Sequence, residues 1–168
     1  MVESDGVSYF EETITTVYPN RSHEVIEQTI SILINAYCRK YHKLYFPMGS
    51  SKIGRYSLNN NEPDVSYAFD TAKSSPDLSV EVVFSSGGTA NIKPYYYYAS
   101  SEVWLWQNEQ IKFYQFVSID DRYTDTETEF SYCLKNLSSE FLIEFINRGL
   151  TESPLTIEAD FIARLDSN

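Results

Sequence analysis

The clearest periodicity in the chain lies between Ser22 and Lys43. There Ile26, Ile30, Leu33, Ile34, Tyr37 and Cys38 recur at helical spacing. The pattern predicts a long amphipathic helix capped by Asn20 or Ser22, with Glu24 in its first turn, where negative charge suits the helix dipole. Arg39, Lys40, His42 and Lys43 form its solvated basic end. Ahead of it, residues 7–18 are rich in Tyr, Phe, Thr, Ile and Val and predict an edge-type strand, broken by Pro19-Asn20.

Beyond the helix, Leu44-Tyr45-Phe46 predicts a short strand and Asn59-Asn60-Asn61 a turn. Two β-like runs follow over residues 62–69 and 76–84, with a turn near residues 73–76 between them and Gly87-Gly88 after the second. Residues 91–100 predict a short helix. The aromatic runs at 102–106 and 110–116 predict a hairpin turning at Asn108-Glu109. Residues 120–129 are polar and acidic and read as a loop, and residues 138–147 and 155–165 as two closing helices. Neither a repeat nor a linker divides residues 1–168, so the expectation is a single α/β domain.

Composition narrows the functions open to such a domain. No apolar run approaches the ~18 residues of a membrane span, and the acidic start Met1-Val2-Glu3-Ser4-Asp5 does not resemble a signal peptide. Cys38 and Cys133 sit in apolar surroundings far apart in sequence, which predicts reduced core thiols and a cytoplasmic protein without membrane contact. The net charge of −11 leaves no basic stripe for bulk nucleic acid. If the chain acts on nucleic acid, contact must be local or transient, or depend on an oligomer such as a homodimer.

The candidate chemistry rests on two carboxylates. Asp64 lies in Glu62-Pro63-Asp64-Val65-Ser66-Tyr67, and Glu81 in the nearly continuous apolar run Leu78-Ser79-Val80-Glu81-Val82-Val83-Phe84. An unpaired carboxylate in a buried strand costs several kcal/mol, which a partner cation or a metal offsets. Two carboxylates on neighbouring strands suit a hard divalent ion, and Val82 offers a backbone carbonyl beside them. The alternative is a structural ion pair at Glu81. Neither histidine stands out: His42 reads as a solvated residue, and His23 beside Glu24 as a pH-sensitive surface pair rather than a catalytic group. No zinc spacing or nucleophile elbow is present, and Tyr95-Tyr96-Tyr97-Tyr98 on a helix cannot present all four rings to one ligand.

Taken in order, Ser22-His23-Glu24, Glu62-Pro63-Asp64-Val65-Ser66-Tyr67, Pro76-Asp77-Leu78-Ser79-Val80-Glu81-Val82-Val83, Ser86-Gly87-Gly88 and Glu102-Val103-Trp104-Leu105-Trp106 resemble the Uma-two family. These restriction-endonuclease-like proteins are abundant in cyanobacteria and belong to the PD-(D/E)XK nuclease superfamily. The resemblance spans about residues 20–117. It implies a restriction-endonuclease-like mixed β-sheet flanked by helices and metal-dependent hydrolysis of DNA phosphodiesters. Mg²⁺ or Mn²⁺ would be held by Asp64, Glu81 and the Val82 carbonyl, with Glu24 bordering the site from the first helix.

The chain departs from the family at the catalytic lysine. Val83 stands two positions after Glu81, where the superfamily places it, and Asn91 occupies the helix position that Uma-two relatives use instead. Lys93 lies two residues on, about 200° around a helix, and Pro94 confines Asn91 to a helix start. Two functions therefore stay open: a metal-dependent endonuclease weakened by loss of the helix lysine, with Lys93 the candidate to take its place, and a catalytically inactive nuclease-fold module for binding or assembly.

Overall fold

A mixed sheet with helices packed against it carries the fold. The computed structural model describes residues 5–49, 63–84, 100–119 and 122–167. Within them the chain runs α1 (Asp5–Lys40), β1 (Tyr45–Pro47), β2 (Val65–Phe69), β3 (Leu78–Val83), β4 (Glu102–Gln107), β5 (Gln110–Ile119), β6 (Arg122–Thr128), α2 (Ser139–Arg148) and α3 (Pro154–Arg164), closing on a 3-10 turn at Leu165–Ser167. The six strands lie in chain order, and all neighbours are antiparallel except the parallel pair β3–β4. Asn59-Asn60-Asn61, Gly87-Gly88, the helix expected from residue 91, Asn91, Lys93 and the four tyrosines lie outside the described residues.

Strand alternation sorts the side chains onto two faces. Tyr67, Val80, Val82, Trp104, Trp106 and Phe113 point to the face on which the helices pack. There they meet Ile26, Ile30, Leu33 and Ile34 of α1, Phe141 and Phe145 of α2 and Phe161 of α3. Trp104 stacks on its cross-strand partner Phe113 at 4.6 Å between centroids. Burying each such large side chain contributes about 1.5–3 kcal/mol. Ser66, Ala68, Ser79 and Val103, on the other face, are buried too, so β2, β3 and β4 are covered on both sides.

The main correction concerns the N-terminal third. The strand expected over residues 7–18 is helix, and neither Asn20 nor Ser22 caps anything, because α1 runs unbroken from Asp5 through Pro19 to Lys40. The β preference of Tyr, Thr and Val is worth about 1 kcal/mol at most and depends on packing, whereas extending an existing helix adds one bond per residue fixed. Pro19 removes one backbone donor without ending the helix.

At its other end α1 stops at Lys40 rather than Lys43. His42 adopts φ +52°, the Lys43 N–H donates to Cys38 O at 2.9 Å, and the His42 N–H donates to Arg39 O at 3.4 Å. This paired closure satisfies the last carbonyls, with histidine in the left-handed position glycine usually takes.

The second correction is β6, a strand where residues 120–129 read as a loop. It is an edge strand whose described side chains, from Thr124 on, are largely exposed, so no hydrophobic alternation marks it. Thr124, Thr126 and Thr128 suit a strand, while Asp125 and Glu127 discourage pairing with another chain.

The other elements follow the sequence pattern closely. Asn108 (φ 52°) and Glu109 (φ 59°) form the two-residue turn between β4 and β5, both left-handed as a type I′ hairpin requires. Ser138 caps α2, its Oγ accepting from the Phe141 N–H at 3.2 Å, and Pro154 opens α3.

Candidate metal centre

β2 ends before β3 does. The pairing Val65↔Val80 is the last between them, leaving Val82 with no strand partner on that side. A buried peptide group needs its hydrogen bonds, and two side chains provide them. Asp64, the residue before β2, accepts the Val82 N–H on Oδ2 at 2.7 Å. His23 of α1 places Nε2 3.0 Å from Val82 O. A carbonyl can only accept, so Nε2 carries the proton. The backbone of one residue thus holds both an imidazole, through its C=O, and a carboxylate, through its N–H, and these two lie 3.5 Å apart, Nε2 to Oδ2.

The third member comes from helix periodicity. Glu27 is four residues after His23 and therefore on the same face of α1. Its Oε2 lies 3.6 Å from His23 Nδ1. Among the described residues, His23, Glu27 and Asp64 form the one group whose ligating atoms all lie within 4.8 Å of one another. Their side chains are 28, 23 and 23% exposed. That is covered enough to strengthen electrostatic interaction and open enough for a solute to reach. The Phe84 ring, 6.0 Å from the imidazole, forms an apolar wall.

The site is charged against itself. Burial, followed by the negative charges of Asp64 and Glu24, raises the carboxyl pKa of Glu27 above its ordinary value, while His23 pulls it down. Along α1, Glu24, Glu27, Gln28, Ser31, Ile32 and Asn35 line a depression of about 490 Å³ beginning at the cluster. Asn35 Oδ1, buried there, has no hydrogen-bond partner among the described residues.

Of the residues singled out from sequence, Asp64 and Val82 are at the centre, although the Val82 carbonyl accepts from His23. Glu81 is not one of the three grouped ligands. It lies between Val80 and Val82, and alternation turns it to the other face from those two core residues. Glu24 is exposed on the rim. His23, set aside as a surface residue, is central, and Glu27 was not picked out at all. The signal that would have found them is the spacing His23-x-x-x-Glu27 within a helix. The thiols are inert: burial raises the Cys38 pKa to about 11, and burial with the nearby Glu102 carboxylate raises that of Cys133 still further. Both cysteines are free, as expected.

Glu102 is a second buried carboxylate that the sequence reading treated only as part of a strand motif. It is 0% exposed and accepts from Trp104 Nε1 (2.8 Å), Ser131 Oγ (3.0 Å) and the Cys133 N–H (2.8 Å). It pins the segment after β6 to the first residue of β4.

No family model, curated protein or solved structure matches the chain. Among the described residues no helix is long and apolar enough to cross a membrane.

Proposed function

We propose that the chain is a metal-dependent phosphodiester hydrolase acting on DNA, with its cation bound where β3 outruns β2. The observation that carries this reading is the grouping of His23, Glu27 and Asp64, with His23 and Asp64 both bonded to the backbone of Val82. Asp64 and Val82 are positions to which the Uma-two resemblance assigns the metal. A long helix, three antiparallel strands and a fourth strand parallel to the third lend the reading architectural support. On this reading the cation is Mg²⁺ or Mn²⁺, and a homodimer remains a natural way to extend contact with DNA.

A divalent ion held here by His23, Glu27 and Asp64 would supply Lewis-acid polarisation of the phosphate and lower the pKa of the nucleophilic water. The remaining tasks fall to the chain itself. The Val82 N–H fixes one oxygen of Asp64. Without a cation, Glu24, Glu27 and Asp64 repel a phosphate; a bound dication reverses the local field. In this proposal Glu24, exposed on the rim, takes the proton of the attacking water. Lys93 stabilises the negative charge that develops on phosphate, and Glu27, rather than Glu81, is the second acidic residue.

The test is nicking of supercoiled plasmid by purified protein in Mn²⁺ and in Mg²⁺. Cleavage is expected from wild type, and is lost in Asp64→Asn and Lys93→Ala but kept in Asn91→Ala. Wild type that never cuts, or Asp64→Asn that cuts equally well, overturns the assignment. One observation favours the rival reading, a catalytically inactive module for binding or assembly: the Val82 carbonyl already accepts a hydrogen bond from His23. On that reading Mn²⁺ raises the melting temperature and DNA stays intact.

A further inference from the structure

We propose that the ion at this centre is a transition-series divalent cation held by His23 Nδ1, Glu27 and Asp64, with the Val82 backbone as outer support rather than as a ligand. This rests on the metal-dependent reading above and narrows it against Mg²⁺.

The first argument is the state of the imidazole. Nε2 faces Val82 O at 3.0 Å and Nδ1 faces the Glu27 carboxylate at 3.6 Å, so a ring with its proton on Nε2 offers Nδ1 to an ion. A histidine that binds a metal almost always donates its other ring N–H to a carbonyl or carboxylate, and that bond fixes its orientation. The N–H of the same residue, Val82, holds Asp64 through Oδ2, and His23, Glu27 and Asp64 each keep a ligand atom within 4.8 Å of the others.

The spacing agrees. Two donors each ~2.1 Å from one ion in tetrahedral arrangement stand about 3.4 Å apart, close to the 3.6 Å between Nδ1 and Oε2. Among the described residues the ion pairs of Glu27 and Asp64 are with His23, and neither carboxylate meets a lysine or arginine. Two carboxylates matched against one imidazole leave room for a dication.

The choice of ion follows from the donors. Mg²⁺ prefers an all-oxygen octahedron and gives up its waters reluctantly. Imidazole nitrogen suits zinc, iron, cobalt and nickel, and affinity for a mixed nitrogen and oxygen site rises along the first row. The Phe84 ring beside the imidazole lowers the local polarity and further favours an ion that sheds water readily.

The test uses the full chain stripped with chelator and titrated calorimetrically with Zn²⁺, Mn²⁺ and Mg²⁺. Pulsed electron paramagnetic resonance on the Mn²⁺ complex then reports whether nitrogen is in the first coordination shell. Zn²⁺ and Mn²⁺ are expected to bind at least about tenfold more tightly than Mg²⁺. His23→Ala should weaken Zn²⁺ by about tenfold or more while moving Mg²⁺ little. The wild-type Mn²⁺ spectrum should carry nitrogen coupling, a readout independent of how well any variant folds. An all-oxygen Mn²⁺ spectrum, or Mg²⁺ binding as tightly as Zn²⁺, overturns the inference. Mg²⁺-driven cleavage untouched by His23→Ala also overturns it and leaves the hydrolase reading standing. Nitrogen-ligated metal with no cleavage under any ion does the reverse.

Discussion

Replacing Glu102 by glutamine tests whether a carboxylate holds the start of β4 to the segment that follows β6. The wild-type group receives three donors: Trp104 Nε1–H on one oxygen, Ser131 Oγ–H and Cys133 N–H on the other. A carboxylate accepts on both oxygens, whereas an amide accepts on one and donates from the other. Glutamine therefore satisfies either Trp104 or the pair at residues 131 and 133. If its NH₂ faces the pair, the Ser131 hydroxyl can turn and accept, but the Cys133 N–H is stranded. If it faces Trp104, the indole N–H is stranded instead. One buried donor without a partner costs about 1–3 kcal/mol, which sets the expected loss for Glu102→Gln. Glu102→Ala strands all three and opens a void, so about 3 kcal/mol or more is expected. Against a total of roughly 5–15 kcal/mol for a domain of this kind, both losses are readily measured. Urea unfolding followed by tryptophan fluorescence gives the values, because Trp104 itself reports on the contact. A Glu102→Gln variant within about 0.5 kcal/mol of wild type refutes the argument, since no amide orientation serves all three donors.

Two further predictions concern packing between helices. At Gly149 an added Cβ would lie 2.9 Å from Thr29 Cγ2 and closer still to Thr29 Oγ1, where Thr29 is buried in α1. Gly149→Ala is therefore expected to destabilise by about 1–3 kcal/mol, and Thr29→Ala in the same chain should recover part of it; additive losses in a double-mutant denaturation cycle would contradict the clash. Between α2 and α3, the hydrogen bond from Arg164 lowers the carboxyl pKa of Glu144 below its ordinary value of 4.5. A folded pKa below the unfolded one adds stability that is full above pH 4.5 and disappears as pH falls through the folded value. Glu144→Gln should accordingly lower the melting temperature at pH 7 and converge with wild type in strong acid. Because the pair is largely solvent-exposed the shift is small, and an equal deficit at every pH would point to packing instead.

The sequence was most legible where local pattern and tertiary role agree. The α1 core stripe from Ile26 to Cys38, the β4–β5 turn at Asn108-Glu109 and the two closing helices all have period or turn chemistry that later packing confirms. It was misleading where one of these signals stood without the other. Residues 7–18 carry strand-forming residues but continue a helix, and β6 is a strand that no apolar face announces. At the candidate centre, Asp64 and Val82 were visible because they sit in strand motifs. For His23 and Glu27 the i,i+4 spacing was there to be read, but that this face of α1 meets Asp64 depends on where the helix crosses the sheet. Glu102 was missed for a related reason: its three donors come from residues up to 31 positions away.

The order of the strands bears on how the chain reaches this fold. β4, β5 and β6 are joined through close turns and can pair soon after they are made, and β2 and β3 are likewise near neighbours in sequence. Only the parallel seam between β3 and β4 must wait for a crossover of residues 84–101 to close, with the loop entropy that this entails. Val82, whose backbone organises His23 and Asp64, lies in that seam opposite Trp106. Opening that seam is therefore expected to loosen the backbone on which the candidate centre is built, even though His23, Glu27 and Asp64 all precede β4 in the chain.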